Sequence, residues 1–231
     1  MIIPALNEAG HLPALLAALD HQTLRPAEVI IADAGSHDGT PVIACAHGAH
    51  VVSGGRPPVG RNAGARAARS ELLLFLDADV VPPPDFLAML LQGFRRQAVD
   101  VAAPLLTPIS ARRSDHVCQG LANLYLQAVQ PISPHAPGCC ILVRRSLHER
   151  IGGFDERAAM AEDHDYVRRA RRHGRYKLLR TVRLPVSVRR IEAEGVLRLA
   201  VKYAYCELHV LARRPVHSVP FTYAFGLHER R

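Results

Sequence analysis

The sequence predicts a single α/β domain, with a mostly parallel central sheet and helices on both of its faces. Short apolar runs alternate with helical patterns through the first hundred residues, which is typical of βαβ units. Of the 231 residues, 48% are hydrophobic, enough to build a substantial core. The composition shows no sharp change along the chain, so nothing marks a second domain.

Apolar runs bounded by Gly, Pro or Asp predict the strands. The clearest run is Leu-Leu-Leu-Phe-Leu at 72–76, because five consecutive apolar residues suit a strand that is buried on both faces. The predicted strands are 1–8, which runs into a loop, then 28–33, 51–52, 72–76, 99–103 and 140–143, with one or two strands within 176–188 that Pro185 interrupts.

Apolar residues at helical spacing predict the helices. The first helix carries four leucines on one face, at positions 12, 15, 16 and 19. Further helices are predicted at 42–46, 63–68, 86–94, 117–129, 146–151, from near 161, and at 196–211. A Pro-rich loop is predicted at 131–137.

Polar segments follow three of the predicted strands, and in an open α/β sheet ligands bind outside the carboxyl ends of the strands. These segments are Pro4-Ala5-Leu6-Asn7-Glu8, residues 33–40 and Asp77-Ala78-Asp79. Two carboxylates directly after a buried strand suit Mg²⁺ or Mn²⁺, and such an ion binds a diphosphate. The Asp-x-Asp pattern alone fits a solvated turn equally well, so its interpretation depends on the accompanying motifs.

The ordered set of motifs resembles the family 2 glycosyltransferases with the GT-A fold. The resemblance covers about residues 1–190 and includes three more segments: residues 60–64, 152–156 and 162–165. It implies that one sugar is transferred from a nucleotide-sugar, a UDP-sugar rather than a GDP-sugar, to an acceptor hydroxyl. It also implies inversion at the anomeric carbon and a divalent metal, Mn²⁺ or Mg²⁺. The family's first strand usually starts several residues before the equivalent of Ile2, so we expect either that the sequence begins late or that the first strand is short.

The resemblance implies a nucleotide-sugar site at the carboxyl edge of the sheet. Its residues would be Pro4, Ala5, Asn7, Glu8, Asp33, Gly35, Arg61, Asp77, Ala78 and Asp79. Glu8 would accept hydrogen bonds from the ribose, Asp33 from the imide of the base, and Arg61 would lie near the diphosphate or base. Asp79 is the first choice as metal ligand, with Asp77 holding the ribose or the metal's water shell. Glu8 could instead be a first-turn helix carboxylate, Asp33 a turn residue and Arg61 a solvated arginine.

The same resemblance places the general base at Glu162 and Asp163, and Asp163 is the favoured residue. Gly138, Gly153 and His135 are predicted to contact the acceptor. Asp165 is expected to pair with Arg168 or Arg169 instead of taking part in the reaction. No metal is assigned to His135 or to Cys139 and Cys140, since a lone loop histidine is usually solvated and adjacent cysteines are more often buried.

The net charge of +8 favours an anionic partner: nucleic acid, acidic lipid or a nucleotide diphosphate. The basic segment 168–177 has one aromatic residue, so we expect no nucleic-acid partner.

The chain lacks a Gly-x-Gly-x-x-Gly after its first strand, which disfavours a dehydrogenase. It also lacks Trp, so the Gln-x-x-Arg-Trp motif of processive synthases is absent and transfer of a single sugar is expected.

We expect one glycosyltransferase domain at 1–190, with a nucleotide-binding half at about 1–104 and an acceptor half at about 105–190. Segment 191–231, a C-terminal amphipathic helix and tail, would pack on that domain, a membrane or a partner. The five cysteines are expected to be reduced and the protein cytoplasmic, or peripheral at the inner face of the cell membrane. The acceptor, lipid-linked or a saccharide of the cell envelope, stays open, as do a homodimer and a non-catalytic family member that binds a nucleotide-sugar.

Overall fold

Strands and helices alternate through most of the chain. The structure is a computed structural model that describes residues 1–212 and 216–221. Its strands are β1 (Ile2–Ala5), β2 (Ile30–Asp33), β3 (His50–Ser53), β4 (Leu72–Leu76), β5 (Val101–Ile109), β6 (Cys140–Arg144) and β7 (Tyr176–Ser187). Its helices are α1 (Leu12–Asp20), α2 (Thr40–Ala46), α3 (Pro57–Ala67), α4 (Phe86–Arg96), α5 (Arg113–Val129), α6 (Arg145–Arg150), α7 (Glu162–Ala170), α8 (Arg189–Glu194) and α9 (Val196–Leu211).

The strands form one seven-stranded sheet in the order β3-β2-β1-β4-β6-β5-β7. The pairs β1·β2, β2·β3, β1·β4 and β5·β7 are parallel, whereas β6 runs antiparallel to both β4 and β5. The carboxyl ends of β1, β2, β4 and β7 therefore meet at one edge. The segment before β6 reaches the same edge, because Cys140 pairs with Leu76 at the end of β4. This edge is called the carboxyl rim below.

Apolar side chains alternate between the two faces of the sheet, so that each face has its own core. In β1, for example, Ile3 belongs to one apolar cluster and Ile2 to the other. Buried residues of α1 and α4 cover the first face, and buried residues of α3, α6 and α7 cover the second. The predicted α/β class, with helices on both faces of a mostly parallel sheet, is confirmed.

Prolines caused the main differences from the predicted boundaries. Helix α3 begins at Pro57, six residues before the predicted start, because proline fits the first turn of a helix, where backbone N–H groups have no partner in the helix. Strand β7 continues through Pro185, which is tolerated because β7 is the last strand of the sheet. The pairing of β5 with β7 shifts register between Pro104 and Leu105. Helix α8 was not predicted.

Helix α9 has the predicted bounds and contacts the domain through Cys206, whose Sγ lies 3.7 Å from Sδ of Met160. Its residues Leu197, Val201 and Leu208 are exposed. Within residues 1–212 and 216–221, no helix is both long enough and apolar enough to cross a membrane. Parts of the predicted C-terminal tail, residues 213–215 and 222–231, lie outside the described residues.

Candidate active site at the carboxyl rim

Asp77 and Asp79 emerge directly after β4, at the centre of the carboxyl rim. The backbone holds them on both sides: the amide of Asp77 donates to the carbonyl of Cys139 at 3.0 Å, and the carbonyl of Asp79 accepts from the amide of Ser187 at 3.1 Å. The strands on either side thus fix the backbone of this pair, which was predicted as a metal site.

Arg61 joins three segments of the rim. Its side chain is 3% exposed, and its guanidinium donates to Asp77 Oδ1 at 3.0 Å, to Glu162 Oε1 at 2.7 Å and to the carbonyl of Gly138 at 3.0 Å. Burial opposes its charge, yet Asp77 and Glu162 raise the pKa of Arg61. The interpretation of Arg61 as a solvated arginine is therefore wrong, because its side chain is buried. Arg61 instead brings the carboxylate pair after β4 next to the start of α7.

A second arginine, which sequence reasoning missed, lies across the rim. Arg189, at the start of α8, donates to both oxygens of Glu8, at 3.0 and 2.7 Å, and its Nε lies 2.9 Å from Asp79 Oδ2. Glu8 is buried, and its amide donates to the hydroxyl of Thr40 at 2.8 Å. The sequence did hold one signal: a basic residue stands two positions after a strand that ends at this edge of the sheet.

The rim carries more carboxylates than cations. Glu8, Asp77, Asp79, Glu162 and Asp163 face only two guanidinium groups in the contacts of the described residues. The pKa of Asp77 is raised to about 6: burial raises it most, Arg61 lowers it and the charge of Asp79 raises it. Solvent reaches only 35% of the Asp77 side chain. Excess negative charge on oxygen ligands fits a hard divalent cation, and Asp77 and Asp79 are the residues that could hold it.

The loops after β1 and β2 form a second polar cluster on the rim. Asp33 Oδ2 accepts the amides of Gly35 and Ser36 at 3.0 Å each, so Asp33 does shape the turn. Its Oδ1 is buried and has no hydrogen-bond partner among the described residues, which leaves an acceptor for a ligand N–H. Asn7, at φ 52°, donates its amide to Ser36 Oγ and accepts the amide of His37, both at 2.7 Å.

Asp163 lies in the first turn of α7, against the segment before β6. A Cβ atom placed on Gly138 would lie 2.8 Å from Asp163 Oδ2, so the backbone passes directly beside this carboxylate. Arg61 donates to Glu162, whereas Asp163 Oδ1 accepts the adjacent amide of His164 at 2.9 Å. Asp165 pairs with Arg168 at 2.6 Å and Arg169 at 2.7 Å, as predicted.

Gly138→Ala is expected to lower turnover about 10-fold and to change the melting temperature little. The added methyl group would push Asp163 Oδ2 out of position, and Asp163 is the predicted general base, for which small displacements are costly in rate. The matched control is Gly120→Ala in α5, where a Cβ atom meets nothing within 4 Å and alanine favours the helix. Equal turnover in the two variants would show that the contact between Gly138 and Asp163 does not matter.

The other two predicted acceptor residues lie in different surroundings. A Cβ atom on Gly153 would lie 2.5 Å from Asn62 Oδ1, and this glycine lines a groove with Arg66 and Arg145. His135 is fully buried, so an acceptor could reach it only after a side-chain movement. Contact of Gly153 and His135 with an acceptor stays a prediction.

The cysteines before and within β6 are protonated thiols. Cys140 is buried on the strand, Cys139 is partly buried, and burial raises the pKa of both. This agrees with their interpretation as small buried residues.

The chain is similar in sequence to known glycosyltransferases. The sequence profile of "Glycosyl transferase family 2" matches residues 1–152. The "Pre-mycofactocin glycosyltransferase" of Mycobacterium tuberculosis (strain CDC 1551 / Oshkosh) is 29% identical over 188 residues, which cover 71% of this chain and 37% of that protein. The "Undecaprenyl-phosphate 4-deoxy-4-formamido-L-arabinose transferase" of Pseudomonas aeruginosa (strain LESB58) is 30% identical over 178 residues, 68% of this chain and 50% of that protein. The chain thus spans half or less of the length of these curated relatives.

Solved glycosyltransferase structures share the fold. Residues 1–349 of S. aureus TarS in complex with UDP superpose with a TM-score of 0.63 at 20% identity, covering 81% of this chain and 59% of that one. The mannosyltransferase PcManGT from Pyrobaculum calidifontis, in complex with GDP-Man and Mn²⁺, gives a TM-score of 0.65 at 22% identity, covering 88% of this chain and 63% of that one. At such identities the similarity establishes the GT-A fold.

Proposed function

Because the chain belongs to glycosyl transferase family 2, we propose that it moves a single sugar from a nucleotide-sugar to an acceptor hydroxyl, with inversion at the anomeric carbon. One observation carries the proposal: Arg61 bonds both Asp77 and Glu162, so that a carboxylate pair suited to a metal lies beside the start of α7, where the next residue, Asp163, is suited to act as a base. A donor bound at the first and an acceptor held at the second would meet at the carboxyl rim.

The donor would be held by the loops after β1 and β2. The unpartnered Asp33 Oδ1 supports binding of the imide N–H of a uracil base, and a UDP-sugar is therefore favoured over a GDP-sugar. Glu8 would accept the ribose hydroxyls. Pro4, Ala5, Asn7, Gly35 and Ala78 complete the proposed surface through their backbone or side chains.

Asp77 and Asp79 would hold the divalent metal, Mn²⁺ or Mg²⁺. The excess of carboxylates at the rim supports this, because a dication offsets their mutual repulsion. Such an ion, when bound, neutralises the negative charge that develops on the departing nucleoside diphosphate.

Asp163 would act as the general base. The acceptor oxygen forms the new bond to the anomeric carbon, the nucleoside diphosphate leaves with the electron pair of the broken bond, and the hydroxyl proton passes to Asp163 Oδ2. Attack from the side opposite the leaving group gives inversion. The engagement of Glu162 by Arg61 supports a positioning role for Glu162, with Asp163 as the group that takes the proton.

The acceptor is proposed to be lipid-linked or a saccharide, and the protein to be cytoplasmic with a peripheral contact at the membrane. Exposed apolar residues of α9 together with the net charge of +8 support such a contact. The name of one relative includes undecaprenyl phosphate, which is in line with a lipid-linked acceptor.

Isothermal titration with UDP and GDP, each with and without Mn²⁺, tests the donor half of the proposal. We expect Mn²⁺-dependent binding of UDP, and we expect Asp79→Ala to weaken it at least about 10-fold, because that variant loses a metal ligand. The control is Asp20→Ala, an exposed carboxylate at the end of α1. Unchanged Mn²⁺ dependence in Asp79→Ala would contradict its role, and a folded protein that binds neither nucleotide would contradict the proposed donor.

A further inference from the structure

A second cluster of ligand-type side chains lies behind the base, away from the aspartate pair. His135 comes from the loop before β6, His164 from the first turn of α7 and Glu207 from α9. One possible ligand atom of each lies within 4.8 Å of those of the other two. His135 is fully buried, and Glu207 and His164 are 20% and 21% exposed. Three separate segments therefore converge on one enclosed point.

The contacts around this cluster leave nitrogen and oxygen lone pairs directed at one another. Nδ1 of His135 lies 2.8 Å from the carbonyl of Ser133, which fixes the ring, and its Nε2 lies 2.7 Å from Glu207 Oε1. An imidazole that donates from Nδ1 presents a lone pair at Nε2 unless Nε2 is also protonated, so its approach to Glu207 needs either a proton or a metal cation between the two atoms. Nδ1 of His164 is buried and has no hydrogen-bond partner among the described residues.

The outer contacts also resemble those of a metal centre. A carbonyl that accepts from the distal nitrogen of a histidine ligand orients the ring, as Ser133 does for His135. The carboxylate of Glu207 is hydrogen-bonded by Tyr125. Both ligand types therefore have the supporting partners that hold metal ligands in place.

We propose that His135, His164 and Glu207 form a site for a transition metal of the Zn²⁺ type. Two imidazoles and one carboxylate suit Zn²⁺, whereas the oxygen-only pair Asp77 and Asp79 suits Mg²⁺ or Mn²⁺. Tetrahedral bonds of about 2.0–2.2 Å place ligand atoms about 3.4 Å apart. The ligand atoms of this cluster lie within 4.8 Å of one another, so binding would require side-chain rotations.

Such an ion would fasten α9 to the start of α7, one residue from Asp163. The ion would position the start of α7 and would not take part in the reaction. Among the described residues, none of its ligands contacts Asp77 or Asp79. The alternative is a metal-free ion pair between a His135 imidazolium and Glu207, and the experiment separates the two.

The test is Zn²⁺ titration of chelator-treated protein by calorimetry, with no nucleotide or acceptor present, followed by the visible absorption of Co²⁺-loaded protein. We expect one equivalent of Zn²⁺ to bind, a rise in melting temperature on binding, and the intense bands of tetrahedral Co²⁺. Glu207→Gln and His164→Ala should each weaken Zn²⁺ binding at least about 10-fold. His173→Ala, an exposed histidine in the turn after α7, should bind Zn²⁺ as the wild type does.

Glu207→Gln keeps the side-chain volume, so it reports on the site even where His164→Ala fails to fold. Asp79→Ala should retain Zn²⁺ binding and the tetrahedral spectrum, which separates this site from the nucleotide site. If the wild type binds no Zn²⁺, or if Glu207→Gln binds Zn²⁺ as tightly as the wild type does, the proposal is overturned. The metal-free ion pair between His135 and Glu207 is then the correct account. Loss of tetrahedral binding in Asp79→Ala would place the ion at the aspartate pair and also overturn the proposal.

Discussion

Asp163→Asn is expected to lower turnover at least about 10²-fold while leaving nucleotide affinity within a few-fold. The amide is almost isosteric with the carboxylate and cannot take the proton of the attacking hydroxyl. Donor binding should persist because the groups proposed to hold the nucleotide lie on the loops after β1, β2 and β4. Turnover of the nucleotide-sugar gives the first quantity, and calorimetric titration with UDP and Mn²⁺ gives the second.

The matched control is Asp165→Asn, two residues further along the same helix. Asp165 is held by Arg168 and Arg169, so its loss should lower stability modestly and leave turnover close to wild type. Glu162→Gln should show an intermediate effect, since it weakens a contact of Arg61. Near-normal turnover in Asp163→Asn would remove this residue from the mechanism.

Arg61→Met is expected to lower the free energy of unfolding by about 3–5 kcal/mol. Methionine fills much of the volume of the arginine stem, but the variant leaves Asp77 and Glu162 close together with no cation between them. The carbonyl of Gly138 also loses its donor. Urea unfolding followed by circular dichroism measures the change.

Arg66→Met provides the control on the same helix. Arg66 is 68% exposed and lies 3.7 Å from an exposed oxygen of Glu156, so its loss should cost no more than about 0.5 kcal/mol. Adding Asp77→Asn to Arg61→Met should recover part of the stability, because the second change removes an unpaired charge. A loss below about 1 kcal/mol in Arg61→Met, or no recovery in the double variant, would contradict the bridging role of Arg61.

Local patterns in the sequence were sufficient for most of the fold. The run from Leu72 to Leu76 is apolar at every position, which suits a strand buried on both faces. The carboxylates that follow the run were therefore expected at the end of that strand. The leucine spacing of α1 likewise determined which face of the helix is buried. The limits of α3 and β7 were missed because proline was treated as a breaker, although it is acceptable in a first helical turn and in an outer strand.

Candidate site residues could be proposed from the sequence only where a motif is continuous. Asp77 and Asp79 directly follow β4, and Asp163 lies in the first turn of α7. Arg189 reaches Glu8 from a distant part of the chain, and His135 meets Glu207 from another segment, so neither contact has a characteristic spacing. Such contacts depend on strand order, and the antiparallel position of β6 between β4 and β5 has no local signal.

Arg189 donates hydrogen bonds to both carboxylate oxygens of Glu8, and a ligand that binds Glu8 at the carboxyl rim would have to share or replace these bonds. The ribose hydroxyl proposed to bind there would therefore share Glu8 with Arg189 or displace it. The affinity of such a ligand reflects the difference between two sets of contacts and not the sum of the new ones. Binding that requires Arg189 to leave Glu8 would be slower than encounter by diffusion, because a side-chain rearrangement would have to occur with it.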